Sequence, residues 1–271
     1  MLGKRILVIV VLLPIGLAVI YIGGWWYAAL IALIMGLAAR EYGQLFQAGG
    51  WQPTHWLIIL GAVLFVLARA FWGFENADWM ISLAILASMS VHTIAYERGR
   101  DRAATDFTVT LTGILYLGWI GAYLISLRMM PDGLWWILLV LPVVWLADSF
   151  AYLIGRSFGR HKMTSRISPN KSWEGYFSGI IFAVLGGALL AFAWSFLGAD
   201  PSVITPLRGA ILGAILSVIT TLGDLGVSMI KRQVGIKDSG NLLPGHGGAF
   251  DRIDTWLWAA VIGYYAIIWL F

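Results

Sequence analysis

The 271-residue chain contains no cysteine, which excludes disulfides and thiolate metal sites. Charge is also scarce. Asp, Glu, Lys and Arg make up 12% of the residues against 60% hydrophobic ones, and the mean hydropathy is +0.83. A soluble protein needs more charge than this to cover its surface, so the composition is that of an integral membrane protein. No polar block is long enough to form a soluble domain. The G-x-x-x-x-G-K-[ST] phosphate loop is missing, and so is any Ser-His-Asp or Cys-His constellation. There is no internal repeat and no low-complexity segment. The opening run MLGKRILVIVVLLPIGLAVIYIGG lacks an A-x-A-like cleavage site and reads as a retained first span.

What is present in abundance is apolar sequence. A bilayer span needs about 20 mostly apolar residues. Nine such stretches are expected, at 5–22, 25–46, 55–72, 78–96, 105–128, 133–154, 174–198, 206–230 and 252–271. The predicted fold class is therefore all-α, a polytopic membrane protein of about nine helices. Residues 1–103 carry the first four spans and 104–271 the other five, within a single membrane domain. Trp clusters near the predicted ends, as interfacial belts require. With the N-terminus in the cytoplasm, all but three (Arg69, Arg128, Arg208) of the 18 Lys and Arg fall on the cytoplasmic side. The expected topology is N-in, C-out, in a bacterial-type cytoplasmic membrane.

The scarce charge is concentrated in residues 224–254, DLGVSMIKRQVGIKDSGNLLPGHGGAFDRID. Charge this dense between apolar runs must be solvated, paired or bound to ions. Asp224, Ser228 and Lys231, at i, i+4 and i+7, form one helical stripe at the end of span eight. The plain reading of that stripe is a salt bridge plus a snorkelling lysine. Asp251, Arg252 and Asp254 open the last span, where acidic residues also complement the helix dipole. Two carboxylates, Asp224 and Asp251, beside a basic glycine-rich loop suit a hard cation such as Mg²⁺. The glycines of LPGHGGAFDR let backbone N–H groups approach an anion, and Lys231, Arg232, Lys237 and Arg252 add positive charge. His246 reads as a hydrogen-bonding positioner, with a base or a metal ligand as alternatives.

A second polar cluster begins in span six, where Trp145, Asp148 and Tyr152 share a face and Asp148 is expected to point into the protein. SPNKSWEG follows at 168–175. There Ser168 or Asn170 is expected to cap a turn, and Lys171 and Glu174 to form an i, i+3 pair. Arg156, Arg160, Lys162, Arg166 and Lys171 make a basic face for nucleotide phosphates or anionic lipid heads. Arg40 and Glu41, at the end of span two, read as an interfacial ion pair.

At these residues the chain resembles the phosphatidate cytidylyltransferases, or CDP-diacylglycerol synthases. The family signature runs Ser, any, apolar, Lys, Arg, four residues, Lys, Asp, any, small, two residues, apolar, Pro or Gly, any, His, Gly, Gly, apolar, any, Asp, Arg, apolar, Asp. Here it is SMIKRQVGIKDSGNLLPGHGGAFDRID, Ser228 to Asp254, with every fixed position matched. The Asp148 helix and SPNKSWEG are similar to a second family block, and the first 100 residues match in hydropathy only. The resemblance implies transfer of a cytidylyl group from CTP to phosphatidate, with Mg²⁺, with or without a second metal ion, in a homodimer. It implies metal carboxylates at Asp224 and Asp251 and a phosphate-facing Lys231. Of the other signature positions, the resemblance implies catalytic roles for Arg252 and Asp254 and substrate- or nucleotide-binding roles for Ser228, Arg232, Lys237, Asp238 and His246. Asp148, Lys171 and Glu174 join the substrate side. CTP, phosphatidate and membrane lipid are the implied partners, and nucleic acid is not.

Two other readings stand beside this one. A secondary anion transporter would line a pathway with Asp148, Asp224 and the basic loops, but the charges gather at one face and not at the midplane. A related transferase or kinase acting on a polyprenyl alcohol would need a base, in His246 or an Asp.

Overall fold

The computed structural model describes residues 2–75, 77–240 and 247–271, with side chains placed for Val10 and from Leu12 onward. The elements are helices: α1 (Leu2–Ile22), α2 (Gly24–Ala48), α3 (His55–Trp72), α4 (Ala77–Glu97), α5 (Ala103–Gly113), a π-helical segment (Ile114–Ile120), α6 (Tyr123–Met129), α7 (Gly133–Phe158), α8 (Trp173–Ser195), α9 (Pro206–Gln233) and α10 (Phe250–Leu270). Among the described residues eight stretches are long and apolar enough to cross a bilayer, with α5, the π segment and α6 forming one of them, Ala103–Met129. The first expected span falls on α1, of which the described side chains contribute a shorter apolar helix, Leu12–Ile22. The protein is thus helical and polytopic.

The chain divides into two compact units, Met1–Ser126 with Ile230–Ile253, and Leu127–Met229 with Asp254–Phe271. In the first, α2 buries a stripe of Tyr27, Ile31, Met35, Ala38, Tyr42 and Leu45, spaced three and four apart as one helical face demands. Two tyrosines on that stripe donate to carbonyls of the fifth span, Tyr42 to Val109 at 3.1 Å and Tyr27 to Leu124 at 3.2 Å. Between those anchors lies the π segment, which the sequence does not announce. Gly118 lies within it against α3, where a Cβ would come within 3.0 Å of the Ala62 Cα. A polar knot closes one end of this unit. Buried Asp106 accepts from the Gln52 N–H at 2.8 Å and from Arg100 Nε at 2.6 Å, and its hydrogen bond pushes the guanidinium pKa up. At the other end of α3, Arg69 donates to Ser126 and lies against the Phe74, Trp119 and Tyr123 rings.

The second unit inverts the usual rule of large residues inside. On α8 the buried positions are Gly175, Gly179, Ala183, Gly187 and Ala191, four apart, while Phe177, Ile181, Leu185, Leu189 and Phe192 are exposed. Lipid tails are as apolar as leucine, so helices in a bilayer associate through close backbone packing, which small residues permit. Gly179 faces the Ala147 carbonyl of α7, and Gly187 and Gly209 of α9 sit against one another's carbonyls. Any side chain at Gly209 must push the two helices apart. Gly209→Val is expected to destabilise this unit by about 1–3 kcal/mol. Its unfolding temperature in detergent should fall accordingly, and an unchanged temperature would show that the helices yield freely there.

Candidate functional site

α9 continues to Gln233, three residues beyond the expected end of span eight, so Lys231 and Arg232 are helical. Asp224, Ser228 and Lys231 accordingly lie on one stripe of a single helix. α10 starts at Phe250, which places Asp251 in its first turn and Asp254 one turn on. His246 and residues 241–245 of the glycine loop lie outside the described residues.

In the first unit Asp251 is the centre of a dense set of bonds. Its Oδ1 accepts from Lys231 Nζ at 2.7 Å. Its Oδ2 accepts from the Ser239 N–H at 2.8 Å, the Ser239 hydroxyl at 3.0 Å and the Gly248 N–H at 3.2 Å. The Lys231 and Asp251 side chains are only 13% and 9% exposed, so this is a shielded ion pair with backbone support, unlike a rim contact. Gly247 has φ +81°, a left-handed turn that favours glycine and brings the next N–H onto the carboxylate.

Glu41 completes the set and overturns the expected pairing with Arg40. Consecutive helical residues point about 100° apart, so the two cannot face one another. Arg40 is exposed, whereas Glu41 lies on the buried stripe of α2 and is 5% exposed. Its Oε2 accepts from the Phe250 N–H at 2.9 Å and the Ser239 hydroxyl at 3.1 Å. Glu41 and Ser239 are the residues of this site that the sequence reading missed. The signal for Glu41 was its register, three residues after Ala38 and four before Leu45 on the apolar stripe.

In the second unit Asp224 pairs through Oδ2 with Lys171 Nζ at 2.7 Å and accepts through Oδ1 from the Ser228 hydroxyl at 3.2 Å. Lys171 therefore does not form the expected i, i+3 pair with Glu174. It precedes the helix, because the cap is Ser172, in extended backbone and accepting from the Gly175 N–H at 3.2 Å, and not Ser168 or Asn170. Glu174 instead accepts from the N–H groups of Arg160 and His161 and pairs with the His161 ring. Lys162 is tied to the Pro169 carbonyl, and a single bridge joins Lys162 to Ser172. The basic loop between α7 and α8 is thus folded back on the start of α8. Asp148 points toward the protein, as expected, with Lys171 and Asp224 near its carboxylate. The residue is exposed along α7, and the Thr255 hydroxyl of α10 satisfies its carboxylate from the side. Asp254 is buried and accepts from the Thr255 N–H at 2.7 Å. Arg232, Lys237, Asp238 and Arg252 are exposed.

No group of three His, Asp or Glu side chains able to hold a metal occurs among the described residues. Asp251 in the first unit and Asp224 in the second are each neutralised by a lysine. Magnesium commonly takes one or two protein carboxylates and fills its shell with water and substrate phosphates, so either carboxylate taken alone is a suitable oxygen ligand for that ion. Within the first unit, Asp251 stands beside the Lys231 ammonium and the Ser239 and Gly248 N–H groups, and within the second Asp224 stands beside the Lys171 ammonium.

Residues 3–271 match the cytidylyltransferase family. Among curated proteins, the phosphatidate cytidylyltransferase of Pseudomonas aeruginosa is 36% identical over 281 residues, covering 99% of this chain and 97% of that one. The Synechocystis protein of the same name is 30% identical over 304 residues, covering 98% and 97%. The one from Brucella abortus is 34% identical over 273 residues, covering 97% and 92%. The chain belongs to the cytidylyltransferase family. It is an enzyme, a nucleotidyltransferase.

Proposed function

We propose that this enzyme converts CTP and phosphatidate into CDP-diacylglycerol and pyrophosphate at the cytoplasmic face of the membrane, with Mg²⁺, as a homodimer. The observation that supports it most is the shielded Lys231–Asp251 pair, set into a loop of N–H donors on the residues of the matched signature. The names of the relatives point to the same reaction. The distribution of Lys and Arg favours the cytoplasmic face.

A phosphate oxygen of phosphatidate attacks the α-phosphorus of CTP. One P–O bond forms, the bond from the α-phosphorus to the bridging oxygen breaks, and that oxygen leaves with pyrophosphate. The nucleophile arrives ionised, so no side chain need remove a proton from it. The protein must instead hold the two phosphates in line and neutralise charge on the leaving group. Lys231 and Lys171, each now paired with a carboxylate, would exchange that partner for phosphate oxygens, and Arg232, Lys237 and Arg252 would add to the field. Asp224 and Asp251 would hold Mg²⁺, which neutralises and polarises phosphoryl oxygens when bound. Arg252 and Asp254 belong with the catalytic residues, and Ser228, Asp238 and His246 with the nucleotide-binding ones. Asp148, Lys171 and Glu174 serve the substrate side.

The test is pyrophosphate release by purified protein in detergent, omitting phosphatidate or Mg²⁺ in turn. Release should require all three components and yield a CDP-lipid. Release with a polyprenyl alcohol in place of phosphatidate would overturn the substrate assignment, and no release from folded protein would overturn the reaction.

A further inference from the structure

Glu41 is 198 residues away from Ser239 in sequence and lies outside the signature, yet it is built into the signature's hydrogen bonds. Burying a carboxylate is costly unless it is paired or hydrogen-bonded. Among the described residues no Lys, Arg or His pairs with Glu41. What it receives instead are two donors, the Phe250 N–H at the start of α10 and the Ser239 hydroxyl. The space around it is closed by glycines. A Cβ at Gly240 would come within 2.6 Å of Glu41 Oε1, and one at Gly248 would meet both Glu41 Oε2 and Ser239 Oγ. A serine hydroxyl has a single hydrogen. The Ser239 hydroxyl lies 3.1 Å from Glu41 Oε2 and 3.0 Å from Asp251 Oδ2, so its hydrogen serves one carboxylate at a time. Glu41 therefore bears on Asp251 twice, through Ser239 and through Phe250, its chain neighbour.

We propose that Glu41 is a positioning residue that sets the orientation of Asp251 through the Ser239 hydroxyl and the Phe250 N–H, and so tunes the affinity of Asp251 for a divalent cation. This rests on the reading of Asp251 as a metal carboxylate. Groups that orient a metal ligand in this way characteristically change metal affinity or activity about 10–100-fold when removed. A merely structural Glu41 would tie α2 to α10 and change stability alone.

The experiment uses the full-length protein in detergent without substrates and follows the rise in unfolding temperature as MgCl₂ is titrated at constant ionic strength. Glu41→Ala and Ser239→Ala should each move the Mg²⁺ midpoint upward, by about tenfold for Glu41→Ala. Glu41→Gln keeps an acceptor of the same reach and should restore most of the wild-type midpoint. If Glu41→Ala does not fold, Glu41→Asp decides, because its shorter side chain keeps the charge but withdraws it from Ser239 and Phe250 while leaving the Ser239–Asp251 bonds in place. Variants that melt lower but keep the wild-type midpoint overturn the proposal. So does a glutamine variant as impaired as the alanine one, or a wild-type protein that does not respond to Mg²⁺. Failure of the proposed reaction would show separately, as a wild-type protein that makes no CDP-lipid whatever its Mg²⁺ midpoint.

Discussion

Asp251→Asn is expected to lower CDP-lipid formation by about a thousandfold or more, on the scale of losing a preorganised charged group from a phosphoryl-transfer site. The size follows from the contacts. Asp251 has four donors around it, Lys231 on Oδ1 and, on Oδ2, the Ser239 and Gly248 N–H groups and the Ser239 hydroxyl that it shares with Glu41. An asparagine offers one acceptor and one NH₂ group. Whichever way the amide is turned, the NH₂ faces a donor, either the Lys231 ammonium or the Ser239 and Gly248 N–H groups. The charge that holds Lys231 is lost as well, and stranding one member of a shielded pair costs about 3–5 kcal/mol. Incorporation of labelled CTP into lipid by membranes with matched amounts of variant protein measures the effect. Turnover near wild type would remove Asp251 from the site.

Lys231→Ala is expected to lower kcat/KM for CTP by about a hundredfold to a thousandfold, leaving the protein in the membrane. Residues that act as one unit are not additive. Combining Lys231→Ala with Asp251→Asn should therefore cost little more than the worse single change. Steady-state kinetics in CTP on all three variants checks this. Multiplying losses would mean that the two side chains act separately, and unchanged kinetics in the lysine variant would leave Lys231 as a snorkelling anchor only.

The helices and most of the charged cluster were legible because hydropathy and the 3.6-residue repeat are local signals. Spans three and six start where expected, at His55 and Gly133, and the Asp224–Ser228–Lys231 stripe is real. What was illegible is pairing at a distance. Lys171 bonds to Asp224 across 53 positions of sequence and not to the nearer Glu174, because the cap at Ser172 leaves it off the helix. Glu41 looked like half of a surface ion pair because its neighbour is an arginine, although its place on the stripe of α2 said otherwise. For Asp148 the rule for charges in spans holds, since its carboxylate faces Thr255 of another helix, with Lys171 and Asp224 nearby.

The π-helical segment at Ile114–Ile120 has a consequence for phase. Each i→i+5 bond closes around one more residue than an α-helical bond does. A span containing such a segment has two halves whose faces are out of step with one another. Counting in threes and fours from Asp106 and Thr110 therefore gives the wrong bearing for Tyr123 and Ser126. The early polar group Asp106 of this apolar stretch meets Arg100, and its late groups Tyr123 and Ser126 meet Arg69.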